Sequence, residues 1–130
     1  MDPVTPEDLI NAANKLKPKS SEGHDCVSTK IMKISISEIV SPLLHIFNLS
    51  FANGVVPAQM KVAKVIPIFK NGDSHSLNNY RPVSILPAFS KLLEKIVYIR
   101  LYKFMNSNNV FYSNQYGFRK RHVQLILLFN

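Results

Sequence analysis

Two cations, Lys70 and Arg81, bracket the polar run 71–79, which opens Asn71-Gly72-Asp73 and closes Asn78-Asn79. Asn-Gly-Asp is turn chemistry, and the flanking residues are rich in Val, Ile, Phe and Tyr. The spacing therefore predicts two strands folded back on each other, one ending in Lys70 and the other starting near Arg81. An arginine fork takes two phosphate oxygens at once and a lysine adds a point charge, so such a pair can clamp a triphosphate. The same spacing suits a charged hairpin tip in water, and the residues alone leave both readings open.

Other chemistries find less support. His24-Asp25-Cys26 offers three ligand types, but three adjacent loop residues without a second cluster make a poor metal site. His45, His75 and His122 are isolated, and no serine or cysteine has a recognisable base partner for nucleophilic catalysis. Glu94 reads as an ion-pair partner of Lys91 or Arg100 on a helix. No catalytic residue and no metal ligand is assigned.

Charge is spread unevenly over the 130 residues, which carry 16 basic and 8 acidic side chains for a net +8. The first 60 residues are close to neutral, whereas the remainder holds eleven basic and two acidic side chains, a net +9. Eleven of the thirteen aromatic rings share that basic part. Cations interleaved with rings are the composition of a nucleic-acid groove, and Lys61, Lys64, Lys120 and Arg121 are its candidate backbone contacts. The alternative is a solvated lysine surface around packed rings.

With 46% hydrophobic residues and a mean hydropathy of +0.02, the chain can bury a core of one domain's size, which argues against wholesale disorder. A lone cysteine, Cys26, excludes an intrachain disulfide and fits an intracellular setting, nuclear or cytoplasmic. The acidic, proline-bearing start is unlike a secretory signal. The longest apolar stretches, 62–69 and 123–129, fall short of the roughly 20 residues that cross a bilayer, so a soluble chain without a membrane partner is expected.

The elements that must position these residues follow from their punctuation. Thr5-Pro6-Glu7-Asp8 marks a helix start with a cap, a proline and first-turn acids, and Pro18 stops that helix near Lys17. Ser35-x-x-Glu38 has the form of a capping box for an amphipathic helix that ends at Gly54, with Pro42 kinking or restarting it. Strands are expected over 62–69 and 80–86, Pro82 confining the second to an edge or an end. Apolar positions 89, 92, 93, 96, 97, 101 and 104 make 88–105 the clearest helix.

Read in order, Asn53-Gly54-Val55-Val56-Pro57, the run 61–70, Asn79-Tyr80-Arg81-Pro82-Val83-Ser84, Lys91-Leu92-Leu93-Glu94-Lys95 and Asn114-Gln115-Tyr116-Gly117-Phe118-Arg119 resemble the opening of a reverse transcriptase domain. The resemblance is to Jockey-like and related non-LTR retrotransposons, with 19–25 similar to the lead-in. It implies an RNA-directed DNA polymerase of fingers, palm and thumb, copying an RNA template into an RNA/DNA hybrid from deoxynucleoside triphosphates with two Mg2+ ions. This chain is similar to the fingers and start of the palm, an α+β fragment that is mainly helical with a β-hairpin around residues 62–86. Residues 1–18 would be an N-terminal helix and lead-in, and 19–130 a partial domain truncated before the catalytic palm motifs. By the same resemblance Lys70 and Arg81 face the incoming triphosphate, and Gln115, Tyr116, Gly117, Phe118 and Arg119 lie near the template and nucleotide pocket.

Departures from the family pattern bear on activity. The aromatic-x-Asp-Asp motif is missing, and no Asp or Glu follows Glu94. Cys26 stands where the family usually has glycine, and Arg121-His122-Val123 replaces a small, polar segment. The expectation is a reverse transcriptase fragment unable to polymerise alone, with a nucleic-acid-binding module lacking enzymatic activity as the alternative.

Overall fold

The computed structural model of the chain describes residues 2–112. These form α1 (Pro6–Lys15), α2 (Thr29–Asn53), β1 (Lys64–Phe69), β2 (Tyr80–Ile85) and α3 (Ala88–Ser107), an α+β arrangement with short 3-10 turns at Ala58–Lys61 and Leu77–Asn79. The chain divides into two compact units whose boundary falls between Val97 and Tyr98, inside α3.

In the first unit α1 packs along α2. The start of α1 is as expected: Thr5 Oγ1 accepts from the Asp8 N–H at 3.1 Å while Asp8 Oδ2 accepts from the Thr5 N–H at 3.3 Å. Such reciprocal bonds satisfy two amides that the helix cannot. Leu9, Ala12 and Ala13 are fully buried on α1, and Met32, Ile36, Leu43 and Phe47 form the buried stripe of α2. Polar bonds pin both ends of the pair. Thr29 Oγ1 accepts from the Lys19 N–H at 2.9 Å. Lys33 Nζ donates to the Asn14 and Leu16 carbonyls, placing a cation at the C-terminal end of α1, where the helix dipole favours it. At the far end the Asn48 carboxamide bonds both the N–H and the carbonyl of Val4, at 2.6 and 3.1 Å.

Helix α2 departs from expectation at its start. Ser28, not Ser35, is the cap, its Oγ accepting from the Ile31 N–H at 3.2 Å. Ser35 lies inside the helix and donates back to the Ile31 and Met32 carbonyls. The early start brings Thr29 to its clasp and buries Met32 completely. The helix does not restart at Ser41 but continues through Pro42, and Gly54 ends it at φ 67°. By length and composition alone α2 is long and apolar enough to cross a bilayer, which corrects the expectation that no stretch reaches that length. Core helices of globular units meet the same measure, and this one carries Lys30, Lys33 and Glu38.

Strands β1 and β2 pair antiparallel from Lys64↔Ile85 to Phe69↔Tyr80, with Pro67 opposite Pro82. The Lys70 N–H bonds the Asn79 carbonyl at 2.8 Å, so the hydrogen-bonded pairs are those of residues 64, 66, 68 and 70. Both prolines therefore occupy a non-hydrogen-bonded pair, where neither removes a ladder bond and each leaves an outer edge without a donor. One face of the ribbon, with Ile66, Val83 and Ile85, is half-buried; Val65, Pro67, Phe69, Pro82 and Ser84 on the other are exposed.

Helix α3 spans the expected segment, but its apolar stripe changes role along its length. Ala88, Leu92, Leu93 and Ile96 are buried in the first unit, whereas Leu101 and Phe104 in the second are exposed. In the second unit Tyr98 stacks on Tyr102 with ring centroids 5.8 Å apart, and Phe111 meets Tyr102 at 5.5 Å, tilted by 43°.

The loop before α2 meets the β2–α3 junction at Gly23, where an added Cβ would lie 2.8 and 2.9 Å from the Pro87 N and Cα. Cys26, three residues on, holds φ 56°, a left-handed conformation that costs an L side chain roughly 1–2 kcal/mol. Two opposite stability shifts are expected in urea unfolding. Cys26→Gly raises stability by about 1 kcal/mol by removing that cost. Gly23→Ala lowers it by about 1–3 kcal/mol, because backbone rather than a yielding side chain occupies the space.

Candidate nucleic-acid interface

The hairpin places Lys70 and Arg81 on one face. Side chains alternate along a strand, so Lys64, Ile66, Ile68 and Lys70 share a face with Arg81, Val83 and Ile85. Ile68 is opposite Arg81 and Lys70 opposite Asn79, which makes the two cations diagonal neighbours roughly 7–8 Å apart, their Cβ atoms somewhat closer. Both are exposed, and among the described residues neither has a carboxylate partner. A phosphate between them would meet a two-pronged donor and a point charge.

The connection that sets this spacing is organised by its own polar groups. Asp73 Oδ1 accepts from the His75 N–H at 2.9 Å and lies 3.0 Å from His75 Nδ1. Asn79 Nδ2 donates to the Asp73 carbonyl at 2.8 Å and the Tyr80 hydroxyl to the Ser74 carbonyl at 2.9 Å. Gly72, at φ 88°, turns the chain close beneath the Asn79 side chain. Leu77 stands 88% exposed on this loop. On the opposite face of the ribbon the Phe69 and Tyr80 rings lie 5.5 Å apart and tilted by 60°.

Lys64 belongs to the same face as Lys70 but at the other end of β1, about 20 Å away along the strand. Lys61 is exposed at the end of the 3-10 turn Ala58–Lys61. Gln115, Tyr116, Gly117, Phe118, Arg119, Lys120 and Arg121 lie outside the described residues. His24 Nε2 is 3.2 Å from Gln59 Oε1, tying the glycine-bearing loop to the turn after α2. Glu94 is exposed, and among the described residues it makes no ion pair with Lys91, one of the two partners expected for it. Lys17, Lys19 and Lys91, none of them given a binding role from the sequence, line one groove.

The backbone N–H of His75, and after it the His75 side chain, hold the Asp73 carboxyl below the usual carboxylate range. The loop bonds that need this carboxylate are complete above that range and lost as pH falls through the lowered pKa. An NMR pH titration is expected to show Asp73 titrating below a free aspartate. In His75→Ala the midpoint moves up only part of the way, because the backbone N–H still donates.

Comparison with known proteins supplies the context. No family model matches the chain. It is 31% identical over 122 residues to the RNA-directed DNA polymerase from mobile element jockey of Drosophila funebris, an alignment covering 93% of this chain and 13% of that protein. The probable RNA-directed DNA polymerase from transposon BS of Drosophila melanogaster is 31% identical over 92% of this chain and 13% of its own length. The jockey polymerase of Drosophila melanogaster is 30% identical with the same coverage. The chain thus spans about 13% of the length of these curated relatives. Over nearly all of its own length it is a homologue of one segment of the Jockey-like, non-LTR retrotransposon RNA-directed DNA polymerases.

Proposed function

We propose that the chain is the fingers side and start of the palm of a right-hand RNA-directed DNA polymerase. Its hairpin holds the triphosphate of an incoming deoxynucleotide beside an RNA template or RNA/DNA hybrid. The observation that carries this reading is the diagonal placement of Lys70 and Arg81, exposed and without carboxylate partners among the described residues, on a ribbon whose proline pair fixes the register. Arg81 supplies two N–H donors to phosphate oxygens and Lys70 neutralises a further charge.

Polymerisation itself belongs to other parts of such an enzyme. Phosphoryl transfer with two metal ions needs carboxylates that hold the ions about 4 Å apart. Among the described residues no group of three His, Cys, Asp or Glu side chains could hold a metal ion, so the residues here do not fit a magnesium pair. The eight acids of the sequence all precede Lys95. The chain alone binds and does not polymerise. A second reading, a nucleic-acid-binding module without a nucleotide site, draws on the +9 balance after Met60.

Titration with a fluorescent deoxynucleoside triphosphate separates the two. The first reading expects saturable binding that weakens about tenfold in either Lys70→Ala or Arg81→Ala, as for loss of one charge-assisted contact. RNA binding with no triphosphate binding supports the second. Primer extension by the isolated chain overturns the statement that it does not polymerise.

A further inference from the structure

Away from the cation pair, an open groove of about 430 Å³ lies within the first unit between residues 16–29, the end of β2 and the start of α3. Leu16, Val83 and Ile85 give it an apolar lining, and Lys17, Lys19 and Lys91 bring three cations to it. Among the described residues none of the three has a carboxylate partner. The nearest acids in sequence, Glu22 beside Lys19 and Glu94 beside Lys91, are not in its lining, nor is Asp25, whose Oδ1 accepts from the Val27 N–H at 3.2 Å. Lys91 stands in the first turn of α3, where the positive end of the helix dipole adds to its charge and disfavours a cation.

This convergence is built rather than incidental. The buried Thr29 hydroxyl bonds the Lys17 and Lys19 carbonyls at 3.2 and 3.1 Å and takes the Lys19 N–H, so the backbone that carries both lysines is anchored to the start of α2. Lys91 is carried by a helix that is buried at Leu92 and Leu93. Ser21 and Ser84 add hydroxyls with no hydrogen-bond partner among the described residues. Three like charges held together at one groove repel one another, and an anion seated among them removes that repulsion.

We propose that this groove is a second phosphate-contact site, which seats a phosphodiester group of an RNA strand through Lys17, Lys19 and Lys91. It rests on the nucleic-acid reading above. Strand β2 connects the two sites: Arg81 lies at its beginning and Val83 and Ile85 on the same face toward its end, about 13 Å along. A single strand lying along β2 meets both.

The test is fluorescence anisotropy of a labelled single-stranded RNA of about 12 nucleotides with the full chain over a range of salt. The triple variant Lys17→Gln/Lys19→Gln/Lys91→Gln is expected to bind at least tenfold more weakly, and its slope of log K against log salt to fall by roughly 0.7, the value for one lost phosphate contact on a single strand. The hairpin double variant Lys70→Gln/Arg81→Gln loses affinity independently, and the two losses add. Wild-type affinity in the triple variant with loss in the double variant overturns the groove site and leaves the nucleic-acid reading standing. No loss in either set overturns both. Pyrophosphate binding that depends on the three lysines, without RNA binding that does, overturns the phosphodiester assignment. Should the triple variant fail to unfold cooperatively, Lys19→Glu carries the test, since that side chain is exposed and its backbone bonds remain.

Discussion

A proline facing a proline is the constraint on which the hairpin depends. Proline cannot donate, so Pro67 and Pro82 are compatible with pairing only where neither donor is needed. That condition admits the observed register, and a slip of one residue would set at least one proline at a bonding position and turn the half-buried side chains of one strand outward. The same two rings leave each outer edge without a donor at its middle, which discourages a third strand. Two cations separated by ten residues of chain thereby become neighbours on one surface, at a tip kept clear of other backbone.

Strain and close packing meet at the loop before α2. Gly23 lies against Pro87 because nothing larger than hydrogen fits there, and Cys26 then bends through a conformation suited to glycine. The resemblance expects glycine at position 26, and the geometry gives that expectation a physical sense: Cys26 holds the turn at a cost glycine would not bear. The reward is positional. With the loop held at Gly23, at Thr29 and through His24 to Gln59, its lysines stand beside α3.

Local chemistry was legible in the sequence, and long-range packing was not. Thr5, Pro6 and Asp8 announce α1, Gly54 announces the end of α2, and the Asn-Gly-Asp turn with its flanking apolar runs announces the hairpin, because each signal and its consequence lie within a few residues. The capping form at Ser35 and Glu38 misled because two further turns gain the burial of Met32 and the Thr29 clasp, neither visible in a local window. The stripe of α3 is continuous in sequence, yet nothing in its periodicity says that burial stops after Val97. Lys70 and Arg81 could be paired on paper since a turn joins them. Lys17 and Lys19 could not be joined to Lys91, which lies more than seventy residues further along the chain, on α3.

The bonds between α1 and α2 also imply an order of assembly. Thr29 reaches Lys19 across ten residues of chain, Lys33 reaches Leu16 across seventeen, and Asn48 reaches Val4 across forty-four. Loop-closure entropy rises with the logarithm of length, so each closure shortens the loop left for the next and lowers its cost. The pair can close like a zip from its connecting loop outward, with the amide clamp on Val4 as the last tooth, and no step requires the forty-four-residue loop to close unaided.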